Sequence, residues 1–470
     1  AWAAARIAAR RPAGLDPIEA LRESATGPTR IGPARSVTGV VFAVAGLVVS
    51  AVPLFVRGVA ASGASAAAAL MLIVALALLG PWLVALVMRA AAPVLRRLSP
   101  AGFLASANGI AGSRRLAGAI LPIALGVGLG LVQIGAPSIV AHESAAQADA
   151  GVTADLRVSA PAGLTSGAVA GLGEIRGVTA VAPITLSGAI IRYKDFDGSP
   201  NHAEPVLQGV DPAAVERTMD LEVRSGALTG LGGAGTVAVS SDAAQSWGVG
   251  VGDAIEGWFG DGTPLRAMVV AVYERGLGFG DLTMAVDAVR THTTSALDAF
   301  ALVAVEAGQV DQVQAAATAQ GLHVAPGSGQ KAAGADAQTQ QSWVNLVALI
   351  VILGYIAIAV VNTLVMATGE RSREFALLQL IGSSRRQVRA MMRTEAVMVA
   401  VISTVFGVLV AIPPLIGMSI GISGRVVPEL PVLAVLALVG TMGALALVAL
   451  WVATLGAMRT RPIAEIGSRQ

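Results

Sequence analysis

The stretch GERSREFALLQLIGSSRRQVRAMMRTE, residues Gly369 to Glu395, is a dense run of arginine between two long apolar segments. Within it, Phe375, Leu378 and Ile381 recur at helical spacing, and Gly382 is typical of a helix C-terminus. This pattern predicts a helix followed by a sharp turn. Its position between two apolar segments indicates a structured cytoplasmic element between transmembrane helices.

A second helix is predicted to begin directly after this turn. Ser384 is followed three residues later by Gln387, which is the spacing of a capping box. Arg385, Arg389 and Arg393 then recur at intervals of four on one helical face, from which their side chains can reach lipid headgroups. The whole stretch therefore predicts a helix, a turn and a second helix.

The composition of the 470-residue chain indicates a protein that meets lipid. Hydrophobic residues make up 54% and charged residues 13%, and the mean hydropathy is +0.71. A hydrocarbon core of about 30 Å needs roughly 20 apolar residues to cross it. Six segments meet that length: Val37 to Val56, Ala66 to Met88, Leu116 to Val140, Trp343 to Ala367, Ala396 to Ile422 and Val432 to Met458.

The distribution of arginine predicts how these spans are oriented. Arginines cluster before the first span, between the second and third, after the fourth and in the C-terminal tail. The positive-inside rule places these regions in the cytoplasm and the chain in the plasma membrane, with both termini cytoplasmic. The loops Arg57 to Ser65 and Gly424 to Pro431 carry one arginine each and are predicted to lie outside, together with residues 141–342.

The predicted fold is an α-helical integral membrane protein with six transmembrane helices and one extracytoplasmic mixed α/β domain. The ends of the chain resemble each other, WAAARIAARRP at residues 2–12 and WVATLGAMRTRP at residues 451–462, which suggests that an earlier repeat is missing. The predicted organisation is a cytoplasmic tail of that missing first repeat (1–36), a linking transmembrane hairpin (37–88), a cytoplasmic loop and elbow helix (89–115), a transmembrane helix (116–140), the extracytoplasmic domain (141–342), a transmembrane helix (343–367), a cytoplasmic coupling segment (368–395), two transmembrane helices (396–458) and a cytoplasmic tail (459–470).

The predicted outside domain is acidic and shows mixed secondary structure. It carries 22 Asp and Glu against 8 Arg and 2 Lys, a net charge of −12, which argues against nucleic acid as a partner. Short apolar runs separated by turns predict strands, and Ala243 to Trp247 predicts a short helix that leads into a glycine-rich turn ending at Asp253. The predicted strands are Asp155 to Ser159, Val178 to Ile191, Glu204 to Val210, Ala254 to Trp258 and Ala267 to Tyr273.

Several kinds of chemistry are disfavoured by the residues present. The chain has no cysteine, and its four histidines occur singly without metal-ligand spacing, so we expect neither a metal site nor a cofactor. We predict that these histidines, His142, His202, His292 and His323, lie on the solvated surface. No serine lies in a nucleophile elbow, and we expect no catalytic residue. The span interiors carry no ionisable group, Glu395 lying at the inner boundary, which argues against an ion-coupled carrier.

The arginine-rich stretch resembles the cytoplasmic loop of FtsX-like permeases, the family that includes macrolide-exporter and lipoprotein-releasing ABC transporters. The string WGVGVGD, Trp247 to Asp253, is similar to a loop in the extracytoplasmic domain of the same family. The matching positions of the cytoplasmic loop are Glu370, Arg371, Arg373, Glu374, Phe375, Leu378, Gly382, Ser384, Arg385, Gln387, Val388 and Glu395.

The resemblance implies a partner, because such permeases work with a separate ABC-type ATPase. This chain has only two lysines, Lys194 and Lys331, and neither stands in the GK[ST] motif of a P-loop, so we expect it to hydrolyse no ATP itself. The apolar residues would pack into an ATPase groove and the charged residues would form a rim around them. The implied ATPase-coupling residues are Glu370, Arg371, Arg373, Glu374, Phe375, Leu378, Ile381, Gly382, Arg385 and Arg386.

The resemblance also implies a function, with one alternative. The chain would transmit motion from the ATPase to the outside domain, with the fourth span carrying the movement outward. The cargo would be a lipid, lipoprotein, peptide or hydrophobic drug, and membrane lipids would be further partners. The alternative is a regulatory membrane protein in which ATPase-driven motion controls an envelope enzyme or sensor.

Overall fold

The computed structural model describes residues 33–56, 58–98, 113–195, 197–293, 297–327, 335–369 and 384–457. These residues form a bundle of long helices and a domain built on one mixed β-sheet. In the sequence, one long helix directly precedes the sheet domain and another follows it.

Six long helices of the described residues are each long and apolar enough to cross a membrane, which confirms the six predicted spans. They are α1 (Pro33–Ser50), α2 (Gly58–Leu98), α3 (Ser113–Gly151), α10 (Ala335–Gly369), α11 (Arg385–Ser423) and α12 (Val432–Ala457). The chain is therefore a multi-pass membrane protein. Of the predicted elbow helix, only Ser113 to Arg115 are described, and they form the first turn of α3.

Helix α11 begins and ends at the residues that local chemistry favours. The backbone N–H of Gln387 donates to the Ser384 hydroxyl at 3.3 Å, and the N–H of Ser384 donates to the Gln387 side chain at 2.8 Å. This reciprocal pair is the predicted capping box. The helix ends at Gly424, whose φ of 70° is left-handed and therefore favours glycine.

The centre of the bundle is the contact between α3 and α11, where small residues allow the backbones to approach closely. A Cβ added to Gly407 would lie 2.6 Å from the Cβ of Val127, and one added to Gly128 would lie 3.1 Å from the Gly407 carbonyl oxygen. Close packing at small residues is typical of helix contacts within membranes. Ile120, Ile123 and other apolar residues around this contact are completely buried.

The hairpin of α1 and α2 packs against the C-terminal half of α11. Here too glycine is required, because a Cβ on Gly417 would collide with the carbonyl oxygen of Ser50. Pro81 has no amide hydrogen, so the Ala77 carbonyl of α2 lacks its helical donor. Arg35 of α1 supplies one instead, since its Nη2 donates to that carbonyl at 3.0 Å.

The sheet domain has eleven strands and several short helices. Sheet order is β11-β1-β10-β2-β4-β9-β6-β8-β5, with β3 paired to β2 and β7 paired to both β2 and β8. The strands are β1 (Leu156–Ser159), β2 (Val178–Lys194), β3 (Pro200–Ala203), β4 (Val206–Val210), β5 (Val223–Gly226), β6 (Thr236–Ser240), β7 (Ala254–Phe259), β8 (Pro264–Tyr273), β9 (Leu282–Ala285), β10 (Phe300–Val305) and β11 (His323–Pro326). The short helices are α4 (Ser166–Gly173), α5 (Val215–Thr218), α6 (Ser241–Trp247), α7 (Gly276–Phe279), α8 (Val286–Arg290) and α9 (Val310–Ala319).

Pairing in this sheet is mostly antiparallel, with parallel pairs between β4 and β9 and between β6 and β8. All five predicted strands and the predicted helix, here α6, are present. The glycine-rich turn after α6 is also confirmed, because Gly248 and Gly252 have φ of 68° and 97°. Asp253 closes the turn by accepting a hydrogen bond from the N–H of Gly250 at 2.8 Å.

The sheet domain is held by apolar cores and one buried ion pair. Side chains such as Val237, Val269 and Leu282 are completely buried between the strands and helices. Asp298 is also completely buried, and it accepts from Arg290 Nη2 at 2.7 Å and from the Thr185 hydroxyl at 2.5 Å. These bonds satisfy the buried carboxylate, as a buried charge requires.

Candidate functional site at the joint between the helices and the sheet domain

Most of the predicted ATPase-coupling residues lie outside the described residues: Glu370, Arg371, Arg373, Glu374, Phe375, Leu378, Ile381 and Gly382. The other two, Arg385 and Arg386, lie in the first turn of α11, where Arg386 is exposed. Their position at the start of α11 agrees with a second helix that begins after Ser384. Their role in binding an ATPase stays a prediction.

The described helices place arginines of the predicted cytoplasmic regions at one end of the bundle. Arg35 lies at the start of α1, and Arg89 lies toward the end of α2. Arg386, Arg389 and Arg393 lie at the start of α11. We call this the arginine-rich end. Which side of the membrane it faces stays a prediction.

At the other end of the bundle, α3 continues into the sheet domain and is bonded to α7. The Ser144 hydroxyl donates to the carbonyl of Leu277 at 2.7 Å, and the N–H of Gly278 donates to the Gln147 side chain at 3.3 Å. Just beyond, the N–H of Asp220 donates to the carbonyl of Gly151 at 2.7 Å. These three bonds fasten the last two turns of α3 to two separate segments of the sheet domain.

Packing in this joint leaves no room for added side-chain atoms. A Cβ on Gly278 would lie 2.7 Å from the backbone nitrogen of Ala148, and a Cβ on Gly151 would collide with the ring of Phe279. Close-packed interfaces of this kind resist deformation. The end of α3 and the helix α7 are therefore expected to move together.

A second link joins α3 to the loop between α11 and α12. His142 Nε2 lies 2.6 Å from a carboxylate oxygen of Glu429, and the Ser138 hydroxyl donates to the Glu429 carbonyl at 3.1 Å. Arg425 donates to the same carboxylate at 2.6 Å. These bonds tie α3 to the loop that joins α11 and α12.

Ion pairs surround the base of the sheet domain. Arg275 Nη1 lies 2.8 Å from Asp220, its Nε lies 3.5 Å from Glu222, and Arg224 Nε lies 3.0 Å from Glu274. The backbone N–H of Glu222 and the side chain of Arg275 hold the pKa of the Asp220 carboxyl below its usual range. Asp220 therefore stays ionised at neutral pH.

The pKa of one carboxyl beside the joint is shifted in the opposite direction. Asp281 follows α7, and burial raises the pKa of its carboxyl above the usual range, while the hydrogen bond from the Ser240 hydroxyl at 2.7 Å partly opposes that shift. A carboxylate in this position is disfavoured by the loss of solvent.

A cleft lies between the bundle and the sheet domain. Its volume is about 760 Å³, and we call it the base cleft. It is lined by Glu143, Ala146, Gln147 and Ala150 of α3, by Ile420 to Arg425 at the end of α11, and by Glu222, Val223, Arg224, Ser241, Asp242, Glu274 and Arg275 of the sheet domain. A smaller cavity of about 360 Å³ shares Arg224, Ser241 and Asp242 with it and reaches Phe55, which follows α1.

The four histidines form no metal site among the described residues. His142, His202 and His323 are exposed, as predicted. His292 departs from the prediction because its ring stacks on Phe259, with 4.0 Å between centroids. The His292 ring also bonds to Asp261 at 3.0 Å. The pKa of the Asp261 carboxyl is lowered to about 2, mainly by its hydrogen bond with the Thr263 hydroxyl.

A known protein family matches part of the chain. Residues 346–462, from within α10 past the end of α12, match the family model described as FtsX-like permease C-terminal. Over these residues the chain is similar to the C-terminal domain of FtsX-like permeases. The predicted coupling residues 370–386 all lie inside this FtsX-like region, and the resemblance found in the arginine-rich stretch is confirmed.

Two solved structures are similar to part of the chain. One is the extracellular domain of the noncanonic ABC-type transporter YknZ from Gram-positive bacteria, 18% identical, with a TM-score of 0.29 over 37% of this chain and 98% of that one. The other is the periplasmic region of MacB from Actinobacillus actinomycetemcomitans, 12% identical, with a TM-score of 0.29 over 38% of this chain and 90% of that one. No curated protein matches the chain.

Proposed function

We propose that this FtsX-like permease transmits motion from a separate ABC-type ATPase to the sheet domain. The ATPase would bind the segment from Glu370 to Arg386, with Phe375, Leu378 and Ile381 as apolar anchors. The arginine-rich end would face the cytoplasm, because cytoplasmic loops carry an excess of Lys and Arg. The sheet domain would then lie outside the plasma membrane, where it handles a lipid, lipoprotein, peptide or hydrophobic drug.

The observation that carries this proposal is the bonded joint between α3 and α7. Transmission requires an element that reaches from the membrane into the sheet domain without a loose connection, and α3 is one unbroken helix of 39 residues from Ser113 to Gly151. At about 1.5 Å per residue it is long enough to cross the membrane and extend beyond it. Its end is held by Ser144, Gln147 and Gly151 as described above.

This changes the element that we expect to carry the motion. From the sequence, we expect the fourth span, here α10, to carry the motion outward. In the structure, however, the main contacts of α10 are with α3 and α12. Movement of the coupling segment, which directly follows α10 and precedes α11, would pass to α3 through these helix contacts. Helix α3 would then move the sheet domain through α7.

The coupling segment is tested by measuring ATP hydrolysis by the partner ATPase, first alone and then together with the permease. We expect Phe375→Asp to remove stimulation by the permease, because an ionised side chain cannot occupy an apolar groove without a large desolvation cost. Phe375→Leu is the matched control and should retain stimulation. Membrane insertion of both variants is checked by their yield in the membrane fraction. Equal stimulation by Phe375→Asp and wild type would refute the coupling assignment.

Orientation is tested by thiol labelling with a reagent that does not cross membranes. The chain has no cysteine, so a single introduced cysteine is its only thiol. In intact cells we expect Val251→Cys, on an exposed turn of the sheet domain, to be labelled and Arg386→Cys to be labelled only after lysis. The reverse pattern would place the arginine-rich end outside and would rule out an intracellular ATPase acting there.

A further inference from the structure

Helix α11 presents one exposed face along much of its length. Val397, Val401 and Val405 are 53%, 55% and 47% exposed, and they follow one another at intervals of four residues. Helix α11 is one of the six helices long and apolar enough to cross a membrane. Aliphatic side chains exposed on such a helix contact the acyl chains of lipids. This row of valines therefore marks the part of α11 that lies in the hydrocarbon core.

The same face changes from aliphatic to basic within about one helical turn. Arg393 is exposed and stands four residues before Val397, and Arg386, seven residues before Arg393, is exposed as well. At about 3.6 residues per turn, Arg386, Arg393 and Val397 lie within about 40° of one another around the helix axis. The boundary of the hydrocarbon core along this face therefore falls between Arg393 and Val397.

Packing prevents this face from turning inward. The opposite side of the same turns carries Val388, Met392 and Val399, which are buried in the apolar cluster that α11 shares with α2 and α3. The start of the helix is fixed by the capping box described above. The backbone of Arg386 and Arg393 is therefore held on the lipid side of the bundle, and only their side chains can adjust.

This end of α11 carries an excess of positive charge. The stretch from Gly369 to Glu395 contains six arginines and three glutamates, and one of those glutamates, Glu395, is buried. Along the helix, Arg386 and Arg393 are separated by about 10 Å. That separation is comparable with the Debye length of about 8 Å at physiological ionic strength. An anion bound at Arg393 is therefore also attracted by Arg386.

We propose that the face of α11 formed by Arg386, Arg393, Val397 and Val401 binds an anionic phospholipid. A guanidinium group donates two parallel hydrogen bonds to a phosphate, so Arg393 holds the lipid phosphate while the acyl chains lie along Val397 and Val401. Arg386 attracts the net negative charge that distinguishes phosphatidylglycerol from phosphatidylcholine. A soluble anion lacks the apolar contacts, so the continuous face fits a lipid better than free phosphate. Lipid binding here requires no ATPase and goes beyond the proposed function.

The test places a fluorescent reporter deeper on the same face. Since the chain has no cysteine, Val405→Cys gives a single site for a bimane label in the full chain, reconstituted in phosphatidylcholine nanodiscs. A small, equal fraction of the lipid is then replaced by phosphatidylglycerol or phosphatidylcholine with brominated acyl chains, which quench bimane. We expect quenching to show about fivefold enrichment of phosphatidylglycerol at this position, the factor that one basic residue near an anionic surface supplies.

A second reporter shows whether the enrichment is local. Leu436 lies near the start of α12, at the end of the bundle opposite to Arg393, and is 61% exposed. Bimane on Leu436→Cys should be quenched equally by the two brominated lipids. Equal enrichment of phosphatidylglycerol at both reporters would overturn the assignment to α11.

Matched variants locate the site, all of them made with the reporter at position 405. Arg386→Gln with Arg393→Gln removes both charges and should abolish the enrichment of phosphatidylglycerol. Arg393→Gln alone should reduce it about twofold or more, so that the result does not depend on the folding of the double variant. Arg176→Gln with Arg217→Gln removes the same charge from exposed positions of the sheet domain and should leave the enrichment unchanged.

Three further results would overturn the proposal. Equal quenching by the two lipids at position 405 would show that α11 does not select anionic lipid, and an unchanged enrichment in the Arg386 and Arg393 double variant would place the site elsewhere. Loss of the enrichment when buffer chloride is replaced by inorganic phosphate at equal ionic strength would show that the arginines bind a soluble anion. The assay contains neither ATP nor ATPase, so these results leave the coupling assignment untouched. Loss of that assignment in the Phe375 experiment would in turn leave the lipid measurement valid.

Discussion

The two helices that adjoin the sheet domain in the sequence, α3 and α10, differ sharply in how they are packed. Over its most apolar window α3 is 56% buried, whereas α10 is 11% buried. Helix α3 is bonded directly to α7, while residues 328–334, between β11 and α10, lie outside the described residues. Helix α3 is therefore the more deeply packed of the two, and it bonds directly to the sheet domain.

The largest expected effect concerns core packing of these two helices. Ile123 of α3 is completely buried and Ile358 of α10 is 71% exposed, so they form a matched pair. We expect Ile123→Ala to lower the free energy of unfolding by about 2–5 kcal/mol through the cavity it leaves. Ile358→Ala should change that free energy by less than about 0.5 kcal/mol. Thermal unfolding of the purified protein measures both, and similar losses would contradict the packing difference.

The next effect concerns the joint between α3 and α7. Gly278→Val would place atoms against the backbone of Ala148, and overpacking of this kind costs about 1–3 kcal/mol. We expect the amide hydrogen of Asp220, which is bonded to Gly151, to exchange faster with solvent because the joint opens. Gly188→Val is the control, since a Cβ on Gly188 of β2 meets no atom within 4 Å. Equal exchange rates in the two variants would show that the joint is not tight.

The smallest effect is a pH-dependent one at Asp281 beside the joint. Because burial raises the pKa of this carboxyl in the folded protein, its ionisation costs stability as the pH rises from the unfolded value near 3.8 past the folded value. Asp281→Asn should therefore raise the melting temperature at pH 7, by about a few degrees. The gain should vanish below pH 3.8. A gain that persists there would mean that ionisation is not its cause.

Much of the fold could be predicted from the sequence because its causes are local. The six spans follow from runs of apolar residues, and the start of α11 follows from Ser384 and Gln387 standing three residues apart. Strand positions in the sheet domain follow from short apolar runs between turns. The FtsX-like region was also recognisable, since its characteristic residues are consecutive in the chain.

The base cleft could not be predicted in the same way. Its walls come from three separate parts of the chain, around residues 143–150, 222–275 and 420–425. No local pattern marks Glu143 and Asp242 as residues that line the same cleft. Likewise, nothing near Pro81 shows that Arg35 supplies a donor to the Ala77 carbonyl, because that bond spans 42 residues.

By itself the sequence determined the number of membrane-crossing helices, the place and class of the sheet domain, and the similarity of residues 346–462 to FtsX-like permeases. These properties depend on composition and on spacing within a few residues. Only the tertiary structure decided which helix is fastened to the sheet domain, because the deciding bonds join distant residues: Ser144 and Leu277 are 133 positions apart, and Ser138 and Glu429 are 291 apart. Contacts at such separations arise from the packing of whole helices and strands, and no short pattern in the chain encodes them.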